Sequence, residues 1–341
     1  MSALAVLWFF LIFVLIAGYF VLDGFDLGVG VLYRALAKDE RERALVRRSI
    51  GPVWDGNEVW LLTAGGALFA AFPAAYATTF SGFYLAVMLV LFGLIVRAVS
   101  LEFRAHDPQW ARAWDVCFTV GSFLPALLLG VALGNVIAGI PMAANGDYAG
   151  VPLLGLLSPF TLVAGLLGLA MCLSAGAAWV ALKAPAGSTV HKRAAKLRVP
   201  CQVAALVLFA VATVLMFAVV KSAFAPGMLA AGVVIALVFL ACVVASIALG
   251  RKGNDLVAFL LQSAAAVCLV ALAAVTLFPN LVVAAPGSAG ASITLMSAAS
   301  SDTSLAWMTG IACVGVPLVL VYHVIAYRVF RGRLDDKDVN Y

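Results

Sequence analysis

An all-α integral membrane protein with nine transmembrane helices is predicted by three features of this chain. Of its 341 residues, 65% are hydrophobic and only 11% charged, and the mean hydropathy is +1.12. A water-soluble globule needs more polar surface than that. Nine apolar segments each reach the length that crosses a ~30 Å hydrocarbon core at ~1.5 Å per residue. Lysine and arginine also collect in alternate connections, the charge pattern of a chain that crosses a membrane repeatedly.

In order, the segments are Ala3–Tyr33, Ile50–Phe72, Tyr76–Val99, Trp114–Ile140, Leu156–Leu182, Val199–Val220, Met228–Leu249, Leu256–Phe278 and Leu305–Val329. The first is over-long, so its last turns, Gly28–Tyr33, are expected to leave the bilayer or tilt. It has no basic region before it and no small-x-small site closing it, which reads as a first span rather than a cleaved leader. Of the 21 lysines and arginines, all but Lys221 fall on one side of the nine crossings. The positive-inside rule makes that side cytoplasmic, with the N-terminus outside and the C-terminus inside. Residues 1–341 then form one polytopic membrane domain. The net charge of +5 is a by-product of this topology, and no nucleic-acid partner is expected.

Six cysteines (Cys117, Cys172, Cys201, Cys242, Cys268, Cys313) all fall in apolar segments without a Cys-x-x-Cys pair, so they read as apolar filler. The long outer connection Pro279–Ser304 is rich in Gly, Ala and Ser yet holds Leu281, Val282, Ile293, Leu295 and Met296. Such a segment is either mobile or docked on something, and its composition supports both. Gly24 with Gly28, and Gly130 with Gly134, make small-xxx-small faces suited to close helix packing.

Four carboxylates interrupt this apolar pattern. Asp23 and Asp26 lie in Leu22-Asp23-Gly24-Phe25-Asp26-Leu27-Gly28, and Asp55 and Glu58 in Trp54-Asp55-Gly56-Asn57-Glu58-Val59-Trp60. An acid near the bilayer centre costs roughly 2.5–3.5 kcal/mol on insertion scales, so four amount to on the order of 10 kcal/mol. At ~1.5 Å per residue, Asp26 and Asp23 sit about 10 and 15 Å from the cytoplasmic end of the first helix. Asp55 and Glu58 sit about 8 and 12 Å into the second by the same rise. All four therefore occupy the cytoplasmic half, each pair on one helix face. Arg97, Glu102 and Asp115 are placed to extend the cluster. Two readings stand: ion pairs with Arg97, Arg34 or backbone that hold helices together, or a proton path made of Asp55, Glu58, Asp23 and Asp26. Asp55 is deeper than any obvious local base, which favours the path at that position.

A redox centre of its own is not expected. His323 is the only histidine well inside a span, His106 and His191 lying in connections, and a haem takes one or two axial ligands. Read alone, His323 is a hydrogen-bonded helix residue. No Walker, dinucleotide or Cys-x-x-Cys-His motif occurs, and no metal site is suggested.

Three runs carry a specific resemblance: Asp23-Gly24-Phe25-Asp26-Leu27-Gly28-Val29-Gly30, Pro52 to Leu61 around Trp54-Asp55-Gly56-Asn57-Glu58, and Thr63-Ala64-Gly65-Gly66-Ala67-Leu68-Phe69-Ala70-Ala71-Phe72-Pro73. Ser81-Gly82-Phe83-Tyr84, Gly121-Ser122-Phe123, Gly130-x-x-x-Gly134-Asn135, Ala291-Ser292-Ile293-Thr294-Leu295 and Val329-Phe330-Arg331-Gly332-Arg333 continue it. Together they resemble subunit II of the cytochrome bd-type quinol oxidases, most densely over residues 20–135. The resemblance implies two four-helix bundles plus one peripheral helix, in a bacterial plasma membrane, paired with a haem-bearing subunit I. It also implies oxidation of membrane quinol and reduction of oxygen to water, with haems b and d, or b alone, in the partner and none ligated by this chain. Some members hold a quinone within this subunit, and small accessory single-span subunits and lipid are further partners it implies. In some members, the resemblance implies, the position matching Asp55 starts a proton path into subunit I. The family often has Gln where this chain has Glu58. A secondary transporter is the rival class, but no internal repeat is evident.

Overall fold

The computed structural model describes residues 2–220 and 224–335. Lys221 and Lys337, which enter the charge argument above, lie outside the described residues. The elements are α1 (Ala3–Leu36), α2 (Glu40–Ile50), α3 (Trp54–Ala71), α4 (Pro73–Gly82), α5 (Tyr84–Phe103), α6 (Ala111–Ala138), α7 (Pro159–Lys183), α8 (Thr189–Leu215) and α9 (Met228–Arg251). After α10 (Asp255–Leu277) come strands β1 (Asn280–Val282) and β2 (Ile293–Thr294), then α11 (Leu295–Ala298) and α12 (Asp302–Val329).

Eight described helices are long and apolar enough to cross a membrane: α1, α5, α6, α7, α8, α9, α10 and α12. The expected segment without a counterpart among these eight is Ile50–Phe72, which holds α3, whose first turns carry Asp55, Asn57 and Glu58 and dilute its apolarity. Several boundaries differ from expectation, and α8 begins at Thr189, well before Val199. Helix α1 continues to Leu36, past Tyr33. The segment expected over Tyr76–Val99 is broken at Phe83. Pro73 cannot continue the α3 hydrogen-bond ladder but suits the first turn of a new helix, so the short α4 starts there. The span that follows shifts to Tyr84–Phe103.

Helix α1 is the hub, packing against α3, α6, α7, α10 and α12. Its crossing with α7 is set by Gly28 and Gly176: a Cβ on Gly28 would stand 1.8 Å from the Cys172 carbonyl oxygen, and one on Gly176 2.4 Å from the Gly28 carbonyl carbon. Gly130 and Gly134 likewise meet α7, whereas a Cβ on Gly24 would find only the Cys172 sulfur, at 3.8 Å. Small size is thus required at three of the four glycines singled out above, and not at Gly24. Helices α5 and α6 pack together, as do α7 with α8 and α9 with α10. A buried polar chain ties the latter four: Gln262 donates to Ser174 Oγ at 2.6 Å, and Gln202 to Ser246 Oγ at 2.8 Å and to Gln262 Oε1 at 3.2 Å. Helix α12 lies at the edge, with only Leu305 and His323 buried.

One end of the molecule gathers the charged connections. Arg104 bridges Asp115 (2.8 Å) and Glu40 (2.6 Å), and Arg43 joins Glu40 at 2.9 Å and Asp115 at 3.1 Å. Asp255 receives His191, Arg198 and Arg333 at 3.0, 3.2 and 2.9 Å. Glu42 pairs with Arg193 at 2.5 Å, and the hydrogen bonds of that guanidinium hold its carboxyl down to about 2. The pair is therefore charged at every pH above the ordinary glutamate range and weakens only as pH falls toward 2.

The Pro279–Ser304 connection is docked on its own chain. β1 and β2 pair antiparallel with Asn280 opposite Thr294. Ile140 donates to the Val283 carbonyl and Ala285 to the Ile140 carbonyl, both at 2.9 Å. Val282 and Leu295 are fully buried in the cluster that includes Phe9, Phe72 and Leu305. Those apolar side chains, scattered through a small-residue segment, are what anchor it.

Candidate functional site

Asp23 and Asp26 lie one turn apart on α1, both fully buried. The tight Gly51-Pro52-Val53 connection brings α3 beside that stretch with Asp55, Asn57 and Glu58 in its first turns. Helix α5 supplies Arg97, fully buried and reached because α5 lies tightly on α6: a Cβ on Gly121 would stand 2.6 Å from the Gly93 carbonyl oxygen. Three helices thus converge on one guanidinium.

A single nitrogen, Arg97 Nη2, meets Asp23 Oδ1 at 2.6 Å and Glu58 Oε2 at 3.3 Å. The ring of Trp54 stands 5.9 Å from the guanidinium carbon, adding a cation–π contact. Next to this ion pair runs a second hydrogen-bonded chain. Asn57 Nδ2 donates to Asp26 Oδ2 at 2.7 Å, and Tyr327 of α12 donates its hydroxyl to Asn57 Oδ1 at 3.0 Å. Those two bonds fix which way the Asn57 amide faces. Asp23 Oδ2, Asp26 Oδ1, Tyr19 Oη, Arg97 Nε and Arg97 Nη1 are buried without a well-formed hydrogen bond to protein among the described residues. Buried polar atoms with spare capacity are uncommon and are met most often by ordered water.

Asp55 stands apart. It is exposed on the outside of α3, one turn before Glu58, which is only partly buried. Of the four carboxylates expected on a path, Asp23, Asp26 and Glu58 come together around Arg97, and Asp55 marks the outer edge of the group. Arg34, Glu102 and Asp115 do not join it. Arg34 and Glu102 are exposed, and Asp115 is taken by Arg104 and Arg43 in the separate charged network. Sequence reasoning missed Asn57 and Tyr327 as members. Asn57 had a signal, lying between the two acids in an apolar context; Tyr327, far along the chain, had none.

His323 lies close by on α12. Its Nδ1 meets the Val319 carbonyl at 2.9 Å and its Nε2 meets the Trp60 indole nitrogen at 3.2 Å. The indole can only donate and the carbonyl only accept, so the ring is neutral with its proton on Nδ1. Both nitrogens are then used, and the residue does not fit an axial haem ligand. Among the described residues no group of three or more His, Cys, Asp or Glu could hold a metal ion.

The family described as cytochrome bd terminal oxidase subunit II matches residues 4–330. Cytochrome bd-I ubiquinol oxidase subunit 2 of Escherichia coli (strain K12) is 36% identical over 381 residues, covering 99% of this chain and 97% of that protein. Cytochrome bd ubiquinol oxidase subunit 2 of Bacillus subtilis (strain 168) is 33% identical, covering 99% of both. The solved structure of bd oxidase from Geobacillus thermodenitrificans includes a chain that superposes with TM-score 0.73 at 17% identity, covering 97% of this chain and 99% of that one.

Proposed function

The chain belongs to the cytochrome bd terminal oxidase subunit II family, and on that premise we propose that it is the proton-uptake and scaffolding subunit of a quinol-oxidising, oxygen-reducing membrane complex. One observation carries the reading. Carboxylates from α1 and α3 share a buried arginine from α5, and a further carboxylate, Asp55, faces outward one turn away. A proton arriving at Asp55 has Glu58 as its next acceptor, with Asp23 across Arg97 and Asp26 one turn further along α1. Carboxyl groups suit this because they alternate between charged and neutral forms. The fixed charge of Arg97 keeps an anion nearby stable and stops the cluster from filling with protons permanently. The test is Asp55→Asn in the assembled oxidase, read as oxygen consumption at unchanged haem content.

In this reading α3 is the ninth span: its 18 residues reach about 27 Å at ~1.5 Å per residue. Helices α1, α3, α5 and α6 make one four-helix bundle, α7 to α10 the second, and α12 is peripheral. The charged end faces the cytoplasm of a bacterial plasma membrane. Reporter fusions at Tyr148 and Gly290 should then read as external and one at Lys192 as cytoplasmic. A cytoplasmic signal at Gly290 would break the nine-span topology.

Haems b and d, or b alone, belong to subunit I, where they supply the electron transfer and oxygen chemistry. His323→Ala should leave every haem band of the complex in place, since both ring nitrogens already have protein partners; disappearance of one band would make His323 a ligand. A quinone held by this subunit would find apolar walls for its tail in a cavity of about 240 Å³ lined by α6, α7, α8, α9 and α10. The hydroxyls of Thr213 and Thr276 on that wall already donate to their own helices. The cavity therefore suits a chain better than a polar head.

A further inference from the structure

A second cavity, about 150 Å³, opens at the charged end of the molecule between the α2–α3 connection, α7, α12 and the segment that follows α12. Its lining includes Arg48, Lys183, Arg331 and Arg333 with the rings of Trp179 and Tyr327, and no carboxylate lines it among the described residues. Two of these side chains build the wall. Arg333 is held by Asp255 at 2.9 Å and by the Ala184 carbonyl at 2.6 Å. Lys183 donates its ammonium to the carbonyls of Phe330 and Gly332, so its charge is met by dipoles and by no acid. Arg48 and Arg331 are exposed and have no ion-pair partner among the described residues. Among the described lining residues, three cations thus share one small space with no carboxylate in its wall, and the ligand that fits is an anion.

Size and surroundings narrow the anion. A cavity of roughly this volume accommodates a benzene-sized group, so it admits a phosphate ester and excludes a nucleotide or a folded acidic segment. From its rim the exposed flank of α12 runs away in apolar residues: Phe330, Val329, Ile325 and Val321 are 43, 67, 57 and 56% exposed. A soluble anion has no use for that flank. A phospholipid uses both, with its phosphate among the cations at the bilayer boundary and its acyl chains along α12.

We propose that this cavity is a headgroup site for an anionic phospholipid. The lipid phosphodiester bridges Arg48 and Arg331 and is backed by Lys183, which fastens the C-terminal segment over the end of α7. Its described lining comes from this chain, and its two exposed arginines lie outside the carboxylate cluster around Arg97, which the cavity approaches only through Tyr327.

The experiment titrates dioleoylphosphatidylglycerol into the delipidated, assembled oxidase and counts bound lipids by native mass spectrometry. The wild-type complex should hold one more lipid than Arg48→Gln/Arg331→Gln. The double variant should bind that lipid about thirtyfold more weakly, the combined effect of two boundary cations on an anionic headgroup. Both arginines are exposed and without an ion-pair partner among the described residues, so yield and oxygen consumption of the variant should match wild type; the single variants supply the same comparison if the double one assembles poorly. Equal lipid occupancy in wild type and variants would overturn the proposal. So would displacement of the extra lipid by inorganic phosphate, which would make the cavity a soluble-anion site.

Discussion

Asp55→Asn is expected to cut quinol-driven oxygen consumption by about two orders of magnitude, the usual scale for losing a positioned proton carrier, while haem spectra and yield of the complex stay near wild type. Asparagine keeps the size and polarity of the side chain and removes its ability to hold a proton. The position tolerates this structurally, because Asp55 is exposed on α3 and makes no hydrogen bond or ion pair among the described residues. Asp55→Glu should restore most of the rate, since it returns a carboxyl at the same turn. Full turnover in Asp55→Asn would reduce Asp55 to a polar residue at an interface. The measurement is oxygen uptake at saturating quinol, normalised to haem.

Arg97→Met has the opposite signature: the complex itself should be lost. The side chain of Arg97 is fully buried, and so is that of Asp23, 2.6 Å away. Removing one partner of such a pair leaves an uncompensated charge and typically costs about 3–5 kcal/mol. That is a large part of the ~5–15 kcal/mol by which folded proteins are stable. Glu58, at 3.3 Å from the same nitrogen, loses its cation as well. Assembled oxidase should fall to a small fraction of wild type, and what remains should melt earlier. Adding Asp23→Asn to Arg97→Met should recover part of the yield, because it removes the orphaned carboxylate. Recovery by the second substitution distinguishes an electrostatic loss from a packing loss, which the pair would only deepen. Wild-type yield and melting in Arg97→Met would show that the buried pair contributes nothing to the fold.

The two substitutions act on different parts of one cluster. Asp55 sits at its exposed edge, where the proposed proton entry needs no contact that holds the fold. Arg97 sits at its centre, where the same charge that steadies the carboxylates also joins α5 to α1 and α3. Glu58 lies between these extremes, partly exposed and weakly paired.

Much of this was legible in the chain alone. A membrane imposes strong one-dimensional rules: spans must be apolar for a bilayer's thickness, and cations stay mostly on one side. The spans could therefore be read in order, and the four carboxylates stood out because acids in an apolar run are costly. The run around Trp54-Asp55-Gly56-Asn57-Glu58 was specific enough to mark the family. What the chain could not reveal depends on which helix faces which. Helix periodicity places Asp23 beside Asp26 but does not say that Arg97, more than seventy residues on, reaches between α1 and α3. Nor does it say that Tyr327 closes the hydrogen-bonded chain through Asn57, that Asp55 faces outward, or that the Pro279–Ser304 segment folds back on its own chain. Such contacts form between distant residues through packing at a few glycines and through burial of scattered apolar side chains. Only the three-dimensional arrangement of the helices decides them.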